Sequence, residues 1–127
     1  MGVQLNHTIV WSHDPKASAA FLAEILGLPA PRTFMHFHVV DMENNVSMDF
    51  MQQDGAIALQ HYAFIVSEPE FDAIFGRIKD RNLDYWADPA RSLPGQINSY
   101  FGGRGLYFPD PNGHLLEVIT TPYGSNS

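Results

Sequence analysis

The sequence predicts one α/β domain made of two copies of a strand–helix–strands module, and three observations carry that expectation. The stretch Gly105 to Thr120 holds two apolar runs, Leu106–Phe108 and Leu115–Ile119, joined by Asp110-Pro111-Asn112-Gly113. Asn-Gly between apolar runs signals a hairpin, because both residues tolerate the positive φ of tight turns. A strand followed by a helix-start signal occurs twice, at Leu5–Trp11 and at Leu59–Val66. The two occurrences superpose at an offset of 54, which matches Leu5 with Leu59, His7 with His61, Asp14 with Glu68, Pro15 with Pro69 and Phe21 with Phe75. A fixed-period match of this kind is the mark of a repeated unit.

Taken in order, Leu5–Trp11 is rich in sheet formers, and its alternation places Leu5, His7, Ile9 and Trp11 on one face. Asp14-Pro15 then opens a helix as N-cap and first helical residue, and Gly27 stops it. Phe34–Asp41 and Val46–Met51 read as strands joined by a turn at Glu43-Asn44-Asn45. After a polar connector, Leu59–Val66 begins the second copy. Ser67-Glu68-Pro69-Glu70 forms a capping-box start, and Phe71, Ile74, Phe75 and Ile78 mark the helical stripe behind it. A long loop around Ser92–Gly103 precedes the closing hairpin. The modules span about 3–53 and 56–122 of a single domain, 1–127.

Composition narrows the function. A chain of 127 residues with 45% hydrophobic and 17% charged content can bury a real core. The net charge of −7 argues against nucleic acid and anionic membrane surfaces as partners. With no cysteine, disulfides, zinc–thiolate sites and cysteine nucleophiles are excluded. No apolar run is long enough to span a membrane and no signal peptide is evident, so a cytoplasmic protein is expected.

Glu117 poses the chemical question. It lies among Leu115, Leu116, Val118 and Ile119, and burying a carboxylate there unpaired would cost several kcal/mol. It needs a cation such as Arg104, a set of donors, or a metal. At the closing strands the repeat sets Asp49 against Glu117, just as the opening strands set His7 against His61. If equivalent positions converge, all four point into one concave sheet. Two imidazoles with one or two carboxylates form the ligand set of Fe(II), Mn(II), Ni(II) or Zn(II) sites. The plainer reading is of packed strand histidines and a Glu117–Arg104 pair. His13 and His114 receive no role; His114 flanks the hairpin turn.

The two-module layout, with His7 and His61 opening the modules and Asp110-Pro111-Asn112-Gly113-His114-Leu115-Leu116-Glu117 closing the second, resembles the vicinal oxygen chelate superfamily. That group includes glyoxalase I, extradiol dioxygenases, fosfomycin-resistance enzymes and bleomycin-binding proteins. The resemblance implies paired βαβββ modules in a curved sheet around a divalent metal, often in a homodimer. It implies His7, His61 and Glu117 as ligands, with Asp49 where glyoxalase I has a fourth. The segment Leu106 to Glu117 is also similar to the extradiol dioxygenase signature, which implies that Tyr107 contacts substrate. That signature's upstream His is replaced here by the run Asn98-Ser99-Tyr100. Arg104, in Gly102-Gly103-Arg104-Gly105, offers a cation to an anionic substrate, and Trp11, Trp86 and Phe101 are candidates to wall the pocket. The expected function is a metal-dependent enzyme of glyoxalase-like lyase or isomerase type, or a dioxygenase, acting on a small substrate with vicinal oxygens. The competing expectation is a metal-free sequestration protein of bleomycin-resistance type.

Overall fold

In the computed structural model, which describes residues 2–124, the chain divides into two compact units, Met1–Ala58 and Leu59–Ser127. The first contains β1 (His7–Ser12), α1 (Pro15–Leu26), β2 (Arg32–Phe34), β3 (Phe37–Asp41) and β4 (Ser47–Gln52). Its sheet runs β1-β4-β3-β2, with β1 parallel to β4 and the other pairs antiparallel. The Asp14 side chain accepts from the Ala17 N–H, and Gly27 ends α1 in the left-handed region at φ 72°. Ala19, Leu22, Ala23 and Ile25 form the buried face of α1, which lies against β1, β3 and β4. Val10, Val40, Met48 and Phe50 are buried with it. Alternation turns His7, Ile9, Trp11, Ser47, Asp49 and Met51 to the opposite face. On that face Ile9 and Trp11 stay 39% and 37% exposed.

The second unit contains β5 (His61–Ile65), α2 (Glu68–Asp80), a short 3₁₀ turn, β6 (Gly105–Pro109) and β7 (Leu115–Ile119). Its sheet runs β5-β7-β6, with β5 parallel to β7 and β6 antiparallel to it. Ser67 and Glu70 complete the capping box, each side chain bonded to the other's backbone N–H. Phe71, Ile74 and Ile78 are buried, as are Leu106, Phe108, Leu116 and Val118. The open face of this sheet carries His61, Ala63 and Ile65 of β5, Leu115, Glu117 and Ile119 of β7, and Tyr107 of β6.

Three details differ from the sequence reading. Phe34–Asp41 is not one strand but the turn and return of a hairpin that starts at Arg32, with Met35 at φ 54° making the reversal. The strands of the described residues form two hydrogen-bonded sheets rather than one. Among the described residues the first unit is a full βαβββ, whereas the second has two strands rather than three after its helix. There the pairing shrinks to bridges of Trp86 with Pro94 and Tyr107 and of Asn98 with Gly105. The backbone donors of this stretch are diverted: the Asp88 carboxylate takes the N–H groups of Ser92 and Leu93, and Pro89 and Pro94 have none to give.

The Asp110–Gly113 connection is a hairpin loop organised by its aspartate. Asp110 Oδ1 accepts from the N–H groups of Asn112 at 2.8 Å and His114 at 2.9 Å. Its own N–H donates to the His114 carbonyl, and Gly113 supplies the positive φ of 96°.

Candidate active site

Three side chains of the second unit meet on the open face. β5 and β7 run parallel with His61 beside Leu115 and Ala63 beside Glu117, while β6 sets Tyr107 against Glu117. His61 Nε2 lies 3.0 Å from Glu117 Oε1. The His61 and Tyr107 rings stack with centroids 5.9 Å apart, and the Tyr107 hydroxyl donates to the Glu117 carboxylate. The partners the structure gives Glu117 are thus an imidazole and a phenol, not Arg104.

The tautomer of His61 follows from its other nitrogen. Nδ1 lies 3.0 Å from the Leu115 carbonyl, which can only accept, so Nδ1 carries the proton. In neutral imidazole that leaves a lone pair on Nε2, aimed at a carboxylate oxygen that also carries lone pairs. A proton or a cation has to stand between them. A carbonyl that fixes Nδ1–H and frees Nε2 is the outer-shell arrangement of metal-binding histidines.

The first unit repeats the device in part. His7 Nδ1 is 2.7 Å from the Asn6 side-chain oxygen, which again assigns the proton to Nδ1 and the lone pair to Nε2. His7 is exposed at the start of β1, beside Ser47 of β4. Asp49, one alternation further along β4, is buried and accepts from the Ser47 hydroxyl at 2.7 Å. Within either unit, the described residues bring no three His, Asp or Glu side chains together as a complete metal cluster. Each unit presents a partial donor set: His7 with Asp49, and His61 with Glu117. As neutral imidazoles and carboxylates, these donors fit a divalent metal.

Burial raises the pKa of the Tyr107 hydroxyl well above its ordinary value, and the hydrogen bond to Glu117 raises it further. Tyr107 is therefore a proton donor at neutral pH, not a base. Because the folded state holds this proton more tightly than the unfolded chain does, its contribution is intact below about pH 10 and is lost as pH rises beyond that. Melting curves between pH 9 and 11.5 should show Tyr107→Phe losing less stability than the wild type over that range.

Arg104 is engaged elsewhere. Its guanidinium bonds Glu68 at 2.8 Å and Asp72 at 2.9 Å and lies 4.4 Å over the Phe71 ring. The expectation of a loop cation held out for an anionic substrate gives way to a clamp on the first turns of α2. Trp86 is tied into the bridges with Pro94 and Tyr107, under the Arg91 guanidinium. Phe101 lies against Tyr123, the rings tilted with centroids 5.3 Å apart. Trp11 remains on the open face of the first unit, two residues along from Ile9. His13 is exposed and bonds the Gly55 carbonyl.

Residues 4–118 match the sequence profile of the Glyoxalase/Bleomycin resistance protein/Dioxygenase superfamily. The chain belongs to that superfamily, the vicinal oxygen chelate group. Among solved structures it is similar to Oxidase ChaP-H2, with 58% identity, full coverage of both chains and a TM-score of 0.97. Oxidase ChaP-H1 shares 57% identity over 98% of this chain and 100% of its own, with a TM-score of 0.95. The metallothiol transferase FosB of Shouchella clausii (strain KSM-K16) is 30% identical over 76 residues, 60% of this chain and 48% of that protein. The chain thus spans about half the length of that relative. These superfamily relatives bear the names of enzymes. No described helix is long and apolar enough to cross a membrane.

Proposed function

We propose that the chain is a divalent-metal-dependent enzyme that oxidises a small substrate bearing vicinal oxygens, with dioxygen as the electron acceptor. The observation that carries the reading is the His61–Glu117 pair: Nε2 and Oε1 converge at 3.0 Å while the Leu115 carbonyl holds the proton on Nδ1. His7, with its proton likewise held on Nδ1, is the second imidazole of the set. Asp49 or water fills a further position. Two histidines and one carboxylate with open positions are the donor set of non-haem Fe(II) oxygenases. Oxidative chemistry is favoured over a lyase or isomerase because the two structures of 57% and 58% identity are named oxidases. It also favours Fe(II) or Mn(II) over Zn(II), which has no redox chemistry.

When bound, the metal supplies a Lewis acid that polarises substrate oxygens and lowers the pKa of a coordinated hydroxyl. The remaining work falls to the chain. Glu117 and Asp49 accept the substrate's hydroxyl protons. Tyr107, kept neutral by burial, orients the Glu117 carboxylate with its hydroxyl proton and turns that proton to a substrate oxygen when one is bound. Trp11, on the open face of the first unit, offers an apolar surface to a substrate. Arg104 has no part in this reading.

The assembly proposed is a homodimer whose partner is a second copy of the chain. Leu59 and Ile65 expose apolar surface at 58% and 61%, which a second copy would cover. Light scattering should report two 14.2 kDa chains per particle, and a 14.2 kDa species at micromolar concentration would decide against the dimer. The function itself is tested by melting the protein with and without Fe(II) or Mn(II). A ligand that binds only the folded state raises the melting temperature with concentration. The increase should shrink below about pH 6.5, where free imidazole takes up a proton. If no divalent ion shifts melting, a metal-free binding protein becomes the better reading.

A further inference from the structure

His114 is among the most buried side chains of the protein, at 1% exposed, and the proposed chemistry does not use it. Its Nδ1 lies 3.0 Å from the backbone nitrogen of Gln60. A backbone N–H can only donate, so Nδ1 is the acceptor and His114 is held as its Nε2–H tautomer. The Gln60 carbonyl in turn accepts from the Leu115 N–H at 2.9 Å, and the Leu115 carbonyl accepts from His61 Nδ1 at 3.0 Å. Both polar backbone groups of Gln60 are therefore fixed to residues 114 and 115, immediately before His61 and on the strand that fixes the His61 ring. The ring of His114 meets Tyr62, the residue after His61 on β5, edge-on at 6.0 Å. Asp110 holds the His114 N–H at 2.9 Å.

We infer that His114 is a positioning residue: by accepting the Gln60 N–H it sets the register in which the Leu115 carbonyl fixes the proton of His61 on Nδ1 and leaves Nε2 free. The inference rests on the metal-site reading for its consequence, not for its geometry. Remove the acceptor and the Gln60 N–H loses its partner at a part-buried strand entrance, which the chain relieves by shifting. Outer-shell partners of metal-binding histidines typically contribute about 10- to 100-fold in metal affinity.

The test compares wild type, His114→Leu and His114→Asn as full-length proteins. Leu keeps the volume without an acceptor, and Asn retains an acceptor at about the same reach. Two readouts are needed: the dissociation constant for Mn(II), and the ring ¹⁵N spectrum of metal-free His61 at pH 8, which reports its tautomer. His114→Leu should bind Mn(II) about tenfold more weakly or worse and lose the Nδ1–H preference of His61, and His114→Asn should restore both. A core variant remote from this chain of bonds, Ile78→Val, should change neither. Equal affinity and an unchanged tautomer in the Leu variant would overturn the proposal. If that variant fails to fold, His114→Met, which likewise offers no strong acceptor, takes its place under the same criterion. In the wild type, scalar coupling across the Gln60 N–H to His114 Nδ1 should be detectable, and its absence also counts against the proposal. If wild type binds no Mn(II), the metal reading falls while the tautomer comparison still decides the positioning role.

Discussion

Replacing Glu117 with Gln is expected to remove most of the rise in melting temperature that Fe(II) or Mn(II) gives the wild-type protein, and to abolish turnover. The substitution preserves shape and a hydrogen-bond acceptor for Tyr107 but removes the charge that faces His61 Nε2 at 3.0 Å. A neutral amide oxygen is a much weaker ligand than a carboxylate for a divalent ion. The metal-free protein should not be greatly weakened, because a neutral amide is less costly to bury than the Glu117 carboxylate, whose side chain is 13% exposed. Metal-dependent melting of wild type, Glu117→Gln and His13→Ala makes the comparison, and His13→Ala should keep the full metal response. A Glu117→Gln protein with an undiminished response would show that the carboxylate is only a partner for His61.

Tyr107→Phe should separate binding from chemistry. Its hydroxyl donates to Glu117 and holds its proton at neutral pH, so its loss removes a proton donor without removing a metal ligand. Metal-dependent stabilisation should persist, while turnover falls by about 10²-fold or more, the usual contribution of a positioned general acid. The measurement is kcat at saturating metal once a substrate is in hand. A fall in metal affinity as large as that of Glu117→Gln would move Tyr107 from proton donor to scaffold.

Most of the framework was legible in the sequence because local signals act over few residues. Asp14-Pro15, Ser67 with Glu70, and Gly27 are caps whose chemistry is complete within one turn, and all three work as the sequence implies. The repeat was legible for the same reason, since strand alternation and helix starts recur in kind even where identities do not. What failed depended on competition between distant groups. Nothing local announced that Met35 would take a positive φ and fold Phe34–Asp41 into a hairpin. Nor did it show that Asp88 would draw off the backbone donors of Ser92 and Leu93 and cost the second unit a strand.

The candidate site divides along the same line. The convergence of His61, Tyr107 and Glu117 follows from strand alternation and a hairpin register, both periodic and therefore readable. The engagement of Arg104 with Glu68 and Asp72 pairs a loop with a helix 36 residues away, which no spacing rule reveals. The acceptor role of His114 was hidden too. It depends on which backbone donor is stranded where β5 begins, and only the assembled sheet shows that.

The central claim is that a divalent metal lies against His61 and Glu117, and the most direct measurement is the metal content of the protein purified without chelator. Elemental analysis should find close to one equivalent of a redox-active divalent metal per chain, and Glu117→Gln prepared in parallel should retain little of it. Wild-type protein that contains no metal, and whose melting no added divalent ion shifts, would contradict the account.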